Sequence, residues 1–223
     1  MIPRALKSIY YSVLSAPLFV SAAVYRSFFA PRSGLVRVHL GPGQRNYLSG
    51  WLNVDVNFIT ARVDVWADIS NGLPFRDETV DAFYSHHMIE HLPDRLLPIH
   101  IAEMYRCLKP GGVLRLGGPN GDAAIQKFLE RDKTWFSEFP DAHSSIGGRF
   151  VNFVFCRGEH LTLLTESYLD ELLREAGFDE VVVCRPVEET NHPAMFDAQV
   201  LGKEHESTPD APHTLIVEAR KPA

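Results

Sequence analysis

The chain has little cysteine: Cys107, Cys156 and Cys184 are widely spaced and form no C-x-x-C pair. A disulfide framework is therefore not expected, and a reducing cytoplasm is the simplest setting. Positive charge is also scarce. With 22 Lys and Arg against 28 Asp and Glu, the formal net charge is −6, which excludes a general basic surface for phosphate backbones and leaves room only for a local patch. Long apolar runs are missing too: "SVLSAPLFVSAAVY", Ser12 to Tyr25, is interrupted by serines and by Pro17, whereas a membrane span needs ~20 predominantly apolar residues. No internal repeat or low-complexity tract is present. What remains is 223 residues, 45% hydrophobic and 22% charged, enough to bury a real core as one domain with an elaboration.

The first thirty residues lack acid altogether, yet they hold Arg4, Lys7 and Arg26, with Arg32 just beyond. Leu6, Ile9, Tyr10, Val13 and Leu14 fall on one helical face and Arg4, Ser8, Ser12 and Ser15 on another. The spacing predicts an amphipathic helix, kinked or restarted at Pro17. Its apolar face has two uses: covering the body of the protein, or resting on an anionic membrane surface. A third reading is a secretory signal, from the basic start, the short apolar core and "SAA".

From Leu35 short apolar runs alternate with longer helical stretches. "LVRVHL" (35–40) reads as a strand running into "GPG" (41–43); "WLNVDV" (51–56), "RVDVWADI" (62–69) and "VDAFYSHH" (80–87) read as three more. "RLLPIHIAEMYRCLK" (95–109) is helical, closed by "PGG" (110–112), and "VLRLGGPN" (113–120) is the next strand. Such alternation implies an α/β fold with a parallel or mostly parallel sheet and right-handed crossovers.

Within this frame "SHHMIEHL" (85–92) sets His87, Glu90 and His91 in the order H-x-x-E-H, the inverted zinc-protease signature. On one helix the two histidines would share a face. Spacing offers Glu166 as a third ligand, although "TESYLDELL" reads Thr165 and Glu166 as a helix start.

"HLGPG", "NVD", "ADISNGLPFRDETVDAFYSHHMIEHL" and "EMYRCLKPGGVLRLGGPN", in that order, resemble the class I S-adenosylmethionine-dependent methyltransferases, within them the branch called methyltransferase type 11. The resemblance covers about residues 35–120, and "GEHLTLLTESYLDELLREAGFDEVVV" (158–183) is similar to the family's helix ending in "AGF". It implies a Rossmann-like, doubly wound sheet with helices on both faces, here with an extra N-terminal helix. The domain would span 35–223 after an N-terminal segment 1–34, with a substrate-side insertion at 121–160. The implied cofactor is S-adenosyl-L-methionine. Gly41 and Gly43 would hold its methionine part, Asp55 its ribose hydroxyls, and Asp68 with the Ile69 amide its adenine. His87, placed by the family pattern at the end of the fourth strand, and His160 in "GEH" are the candidates to line the reacting centre. On this reading the H-x-x-E-H match is accidental and no metal is implied.

The chain departs from that pattern in two places. His39 stands where the family carries an acid before the glycines. Only eleven residues separate Gly43 from Asp55, so the first crossover helix is reduced to about one turn or absent, and other segments, the N-terminal helix first among them, must cover the sheet. Residues 121–160 hold Trp135, Phe136, Phe139, Phe150, Phe153 and Phe155, as core or as a lid over an apolar or sugar-ring acceptor. The expected activity is methyl transfer to a small or glycan-like acceptor. A non-catalytic scaffold of the same shape is the alternative, and a zinc hydrolase through His87, Glu90 and His91 the remote one.

Overall fold

The computed structural model describes residues 4–59, 61–204, 206, 208 and 210–223, with side chains described from residue 13 onward. Seven strands form one sheet: β1 (Arg37–Leu40), β2 (Leu52–Asp55), β3 (Val65–Trp66), β4 (Val80–His86), β5 (Leu108–Pro119), β6 (Asp179–Cys184) and β7 (Thr214–Arg220). Their order is β3-β2-β1-β4-β5-β7-β6. The first five run parallel, while β7 is antiparallel to β5 and to β6. The order reverses between β1 and β4, the point at which an open α/β sheet opens a crevice at its carboxyl edge.

The helices are α1 (Arg4–Val24), α2 (Leu97–Cys107), α3 (Gly121–Leu129), α4 (Ile146–Phe155), α5 (Glu166–Glu175) and the single turn α6 (Ala198–Leu201). α3, α4 and α5 start on side-chain caps from Asn120, Ser145 and Thr165, satisfying amides that a helix start leaves without partners. Strand β5 begins at Leu108, ahead of its expected start: Val80 pairs with Leu108 and Ala82 with Val113, so Lys109–Gly112 bulge out of the ladder.

No helix lies between β1 and β2; "GPGQRNYLSG" makes turns only. The sheet face this leaves bare carries Tyr84 and Val113 beside Leu48 and Trp51, and it is covered from the far end of the chain by Phe196, Val200 and Leu201. Gln199 clamps the join, bonding both the amide and the carbonyl of Ser49. A buried ion cluster completes this cover. Arg115 of β5 donates to both oxygens of Glu204 (2.6 and 2.8 Å), to Glu218 (2.6 Å) and to the Glu189 carbonyl, with all three charged side chains at 0% exposure.

The N-terminal helix contributes at a different place. It runs through Pro17 without interruption and ends in a π-helical turn, Tyr25–Phe29. Leu18 is buried, Ala22, Tyr25 and Ala30 pack on the main core, and Ser21 donates to the Trp66 carbonyl of edge strand β3 (2.8 Å). Of the predicted contact face, Val13 is exposed and Leu14 half-buried, and the side chains of Leu6, Ile9 and Tyr10 lie outside the described residues. Among the described residues no helix is long and apolar enough to cross a membrane.

Candidate cofactor and acceptor site

At the carboxyl ends of β1, β2, β3 and β4 lies a cleft of about 790 Å³, in the range of small-molecule sites. Gly41, Gly43, Asp55, Asp68, Ile69 and His87 all line it, so four separate chain segments bring the expected residues together. Gly41 (φ +69°) and Gly43 (φ +55°) both turn left-handed, a conformation that strains residues with a β-carbon. At Gly41 a β-carbon would also strike Met88 Cγ at 2.5 Å, whereas the space beside Gly43 is open.

The two aspartates do local work as well. Asp55 accepts from the Gly43 amide (3.1 Å) and from the Asn57 amide (2.8 Å), tying the glycine turn to the end of β2. Asp68 accepts from the Ser70 amide and hydroxyl and from Asn71 Nδ2, capping a 3₁₀ turn at Ile69–Asn71. A carboxylate has about four acceptor sites, so both retain acceptor capacity beyond these bonds. His39 does not reach the glycine turn. Its Nδ1 pairs with Asn53 Oδ1 at 3.1 Å, and burial lowers its imidazole pKa to about 4.

His87 ends β4 in a left-handed conformation (φ +52°), its amide donating to the Gly117 carbonyl. Its side chain is 43% exposed, while Glu90, bonded to its Nδ1 through Oε1 at 3.0 Å, is 1% exposed. A carboxylate only accepts, so His87 Nδ1 carries a proton, and Nε2 lies 3.3 Å from Thr214 Oγ1. Burial works against charge on Glu90. The hydrogen bond from His87 and the neighbouring His87 and His91 outweigh it and hold the carboxyl below its ordinary range. His160 stands one layer back. Its flanking residues Glu159 and Leu161 line the cleft, and its ring packs edge-on against His91, centroids 5.2 Å apart.

Residues 85–92 do not form the helix on which a zinc-protease reading depends. β4 stops at His86 and Ile89–His91 is a 3₁₀ turn, so His87 and His91 share no helical face. Glu166 begins α5, its amide held by Asp122. The aromatic insertion resolves mostly into a satellite core: Trp135 and Phe136 are buried with Ala123 and Ala124, and Phe150 and Phe153 pack on them. Phe139 and Phe155 remain exposed. Sequence reasoning singled out only part of the lining; Met88, Leu96 and Gly158 are among the cleft residues it did not assign.

Residues 40–116 match the family model described as "Methyltransferase domain". A probable methyltransferase, ltbC of Aspergillus luteorubrus, is 26% identical over 113 residues, covering 50% of this chain and 36% of that protein; this chain therefore spans little more than a third of its relative's length. A Thermotoga maritima S-adenosylmethionine-dependent methyltransferase superposes with a TM-score of 0.54 at 17% identity, covering 98% of this chain and 96% of that one. Phosphoethanolamine N-methyltransferase 2 of Haemonchus contortus, in complex with S-adenosyl-L-methionine, superposes with 0.53 at 16% identity over 92% of this chain and 53% of that one. The two structures match in fold. With the glycine turn and the acid-ended strands, the matched segment makes residues 40–116 similar to the methyltransferase domain of class I S-adenosylmethionine-dependent methyltransferases.

Proposed function

We propose that the chain transfers a methyl group from S-adenosylmethionine to a small-molecule or glycan-like acceptor bound over His87. The observation that carries this reading is the convergence of Gly41, Gly43, Asp55, Asp68, Ile69 and His87 on one cleft. The donor set suits the cofactor: two carboxylates for hydroxyl and amino hydrogens, and a glycine turn with open space at Gly43 for close backbone approach. When bound, the cofactor supplies an electrophilic methyl group on its sulfonium.

The residues then divide the work. Asp55 orients the ribose hydroxyls while holding the Gly43 amide, so cofactor seating and loop position are coupled. Asp68 and the Ile69 amide address the adenine. His87 Nε2 takes the proton of an acceptor that must lose one, and Glu90 fixes the required tautomer. The aligned cleft does the rest by positioning and excluding water. Calorimetry with S-adenosylmethionine and S-adenosylhomocysteine tests the reading, and no binding of either would sink it. His87→Ala should keep cofactor affinity within about tenfold and lose transfer; full activity would remove His87 from the site.

A non-catalytic scaffold is the second reading, and one observation favours it: both aspartates already serve local amides. A peripheral membrane contact is proposed for the N-terminal segment. Phe19, Val20, Val24, Phe28 and Phe29 are exposed on a stretch that has Arg26 and no acid, a combination suited to an anionic lipid surface.

A further inference from the structure

We propose that Glu90, His91 and His160 form a binding site for a divalent transition-metal ion at the edge of the cleft. A ring nitrogen of each histidine and a carboxylate oxygen of Glu90 all lie within 4.8 Å of one another. These residues come from the turn after β4 and from the segment that returns from the insertion, 69 positions beyond His91 by sequence number (160 − 91).

Independent features of the site point the same way. Glu90 is 1% exposed, and its Oε2 has no hydrogen-bond partner, while Oε1 is taken by His87. A buried carboxylate oxygen without a partner costs free energy that a cation would recover. Gly118 is part of the same arrangement, since a β-carbon there would come within 3.3 Å of Oε2. Both histidines are held in the tautomer that metals need. His91 Nδ1 faces the Glu159 carbonyl at 2.9 Å and His160 Nδ1 the Val154 carbonyl at 3.2 Å. A carbonyl only accepts, so each Nδ1 carries the proton and each Nε2 presents a lone pair. This is how backbone carbonyls orient metal-bound histidines.

Two imidazoles and one carboxylate suit zinc or another mid-row divalent ion better than magnesium or calcium, which prefer oxygen alone. Bonds of ~2.0–2.2 Å require donors ~3–3.5 Å apart; the set must close by about an ångström, and exposed His91 has the freedom to do so. Glu159 and Leu161, beside His160, line the cleft, so an ion here would leave coordination positions open towards the acceptor. Its use there, as a Lewis acid on an acceptor oxygen, rests on the methyl-transfer reading. Its binding does not.

The test uses the full chain, stripped with a chelator and titrated with zinc chloride alone by calorimetry, followed by elemental analysis. One ion per chain at micromolar affinity or better is expected. Glu90→Gln, His91→Ala and His160→Ala should each weaken binding at least tenfold, while His143→Ala, outside the cluster, should leave it unchanged. His91 is exposed, so its variant keeps the test open if a change at buried Glu90 unfolds the protein. Absence of stoichiometric binding, or binding that His91→Ala and His160→Ala leave intact, overturns the site. Cofactor affinity measured on the same metal-free protein separates the two proposals: cofactor binding without zinc binding rejects the ion alone, and the reverse rejects methyl transfer alone.

Discussion

Replacing Arg115 by methionine removes the one positive charge from a cluster that holds two carboxylates at 0% exposure, Glu204 and Glu218. Burial works against the guanidinium's charge, but its hydrogen bonds and attraction to the two glutamates outweigh that and raise its pKa. In Arg115→Met both glutamates would stay buried without a counter-charge. Breaking a buried pair this way costs about 3–5 kcal/mol, and the second carboxylate pushes the value to the upper end. Glu204→Gln is milder, because it leaves Arg115 paired with Glu218, and it should cost about 1.5–3 kcal/mol, the scale of a charge-assisted hydrogen bond. It also loosens Val187, whose amide donates to Glu204 Oε2 and whose φ of +68° is strained for a β-branched residue. In a domain of this size each kcal/mol moves the melting temperature by about 2–4 °C, so Arg115→Met should lose roughly 6–20 °C by calorimetry or circular dichroism. An Arg115→Met protein within about 1 kcal/mol of the parent, or less harmed than Glu204→Gln, would refute the reasoning.

Asp55→Ala should weaken S-adenosylhomocysteine binding by about 1.5–3 kcal/mol without unfolding the protein, and unchanged affinity by calorimetry would reject its assignment. Stability should fall on acidification. Burial lowers the pKa of His39 and of His100 to about 4, so the unfolded chain takes up protons below its own value of ~6.5 while the folded chain does not. Their contribution is complete above ~6.5 and declines as pH falls towards 4, by about 2–3 kcal/mol each at the limit; urea midpoints that do not move between pH 7 and 4.5 would contradict it. Phe28→Glu with Phe29→Glu should reduce sedimentation with vesicles of anionic lipid while the melting temperature holds, since both side chains are exposed; unaltered sedimentation, or none in the parent, rejects the membrane contact.

Much of this was legible in the sequence because each strand ends on a residue with a reason to be there. Gly41, Gly43, Asp55, Asp68 and His87 follow their strands directly, and the sheet delivers all five to one cleft. The absent first crossover was readable from the eleven-residue spacing. Its replacement was not, because Phe196, Gln199 and Glu204 reach the sheet and its loops through contacts some ninety to one hundred and fifty residues long, which no local pattern encodes. The histidines were legible as residues, and the H-x-x-E-H spacing that the sequence reading took as accidental does not describe their grouping in space. The motif order couples His87 to His91, but the left-handed backbone at His87 turns its ring onto Glu90 and Thr214. His91 instead meets His160, a neighbour only in space.

Covering an early sheet face with a late segment has a consequence during synthesis. Trp51 and Tyr84 are in place long before Phe196, Val200 and Leu201, which bury them. At ~5–20 residues per second, the 145 positions from Trp51 to Phe196 (196 − 51) take roughly 7–30 s to translate. For that interval the nascent chain carries an uncovered aromatic surface at the ribosome. The ordinary remedy, a helix supplied by the next few residues, is missing, so this face should lean on chaperones until residues 196–201 have been made.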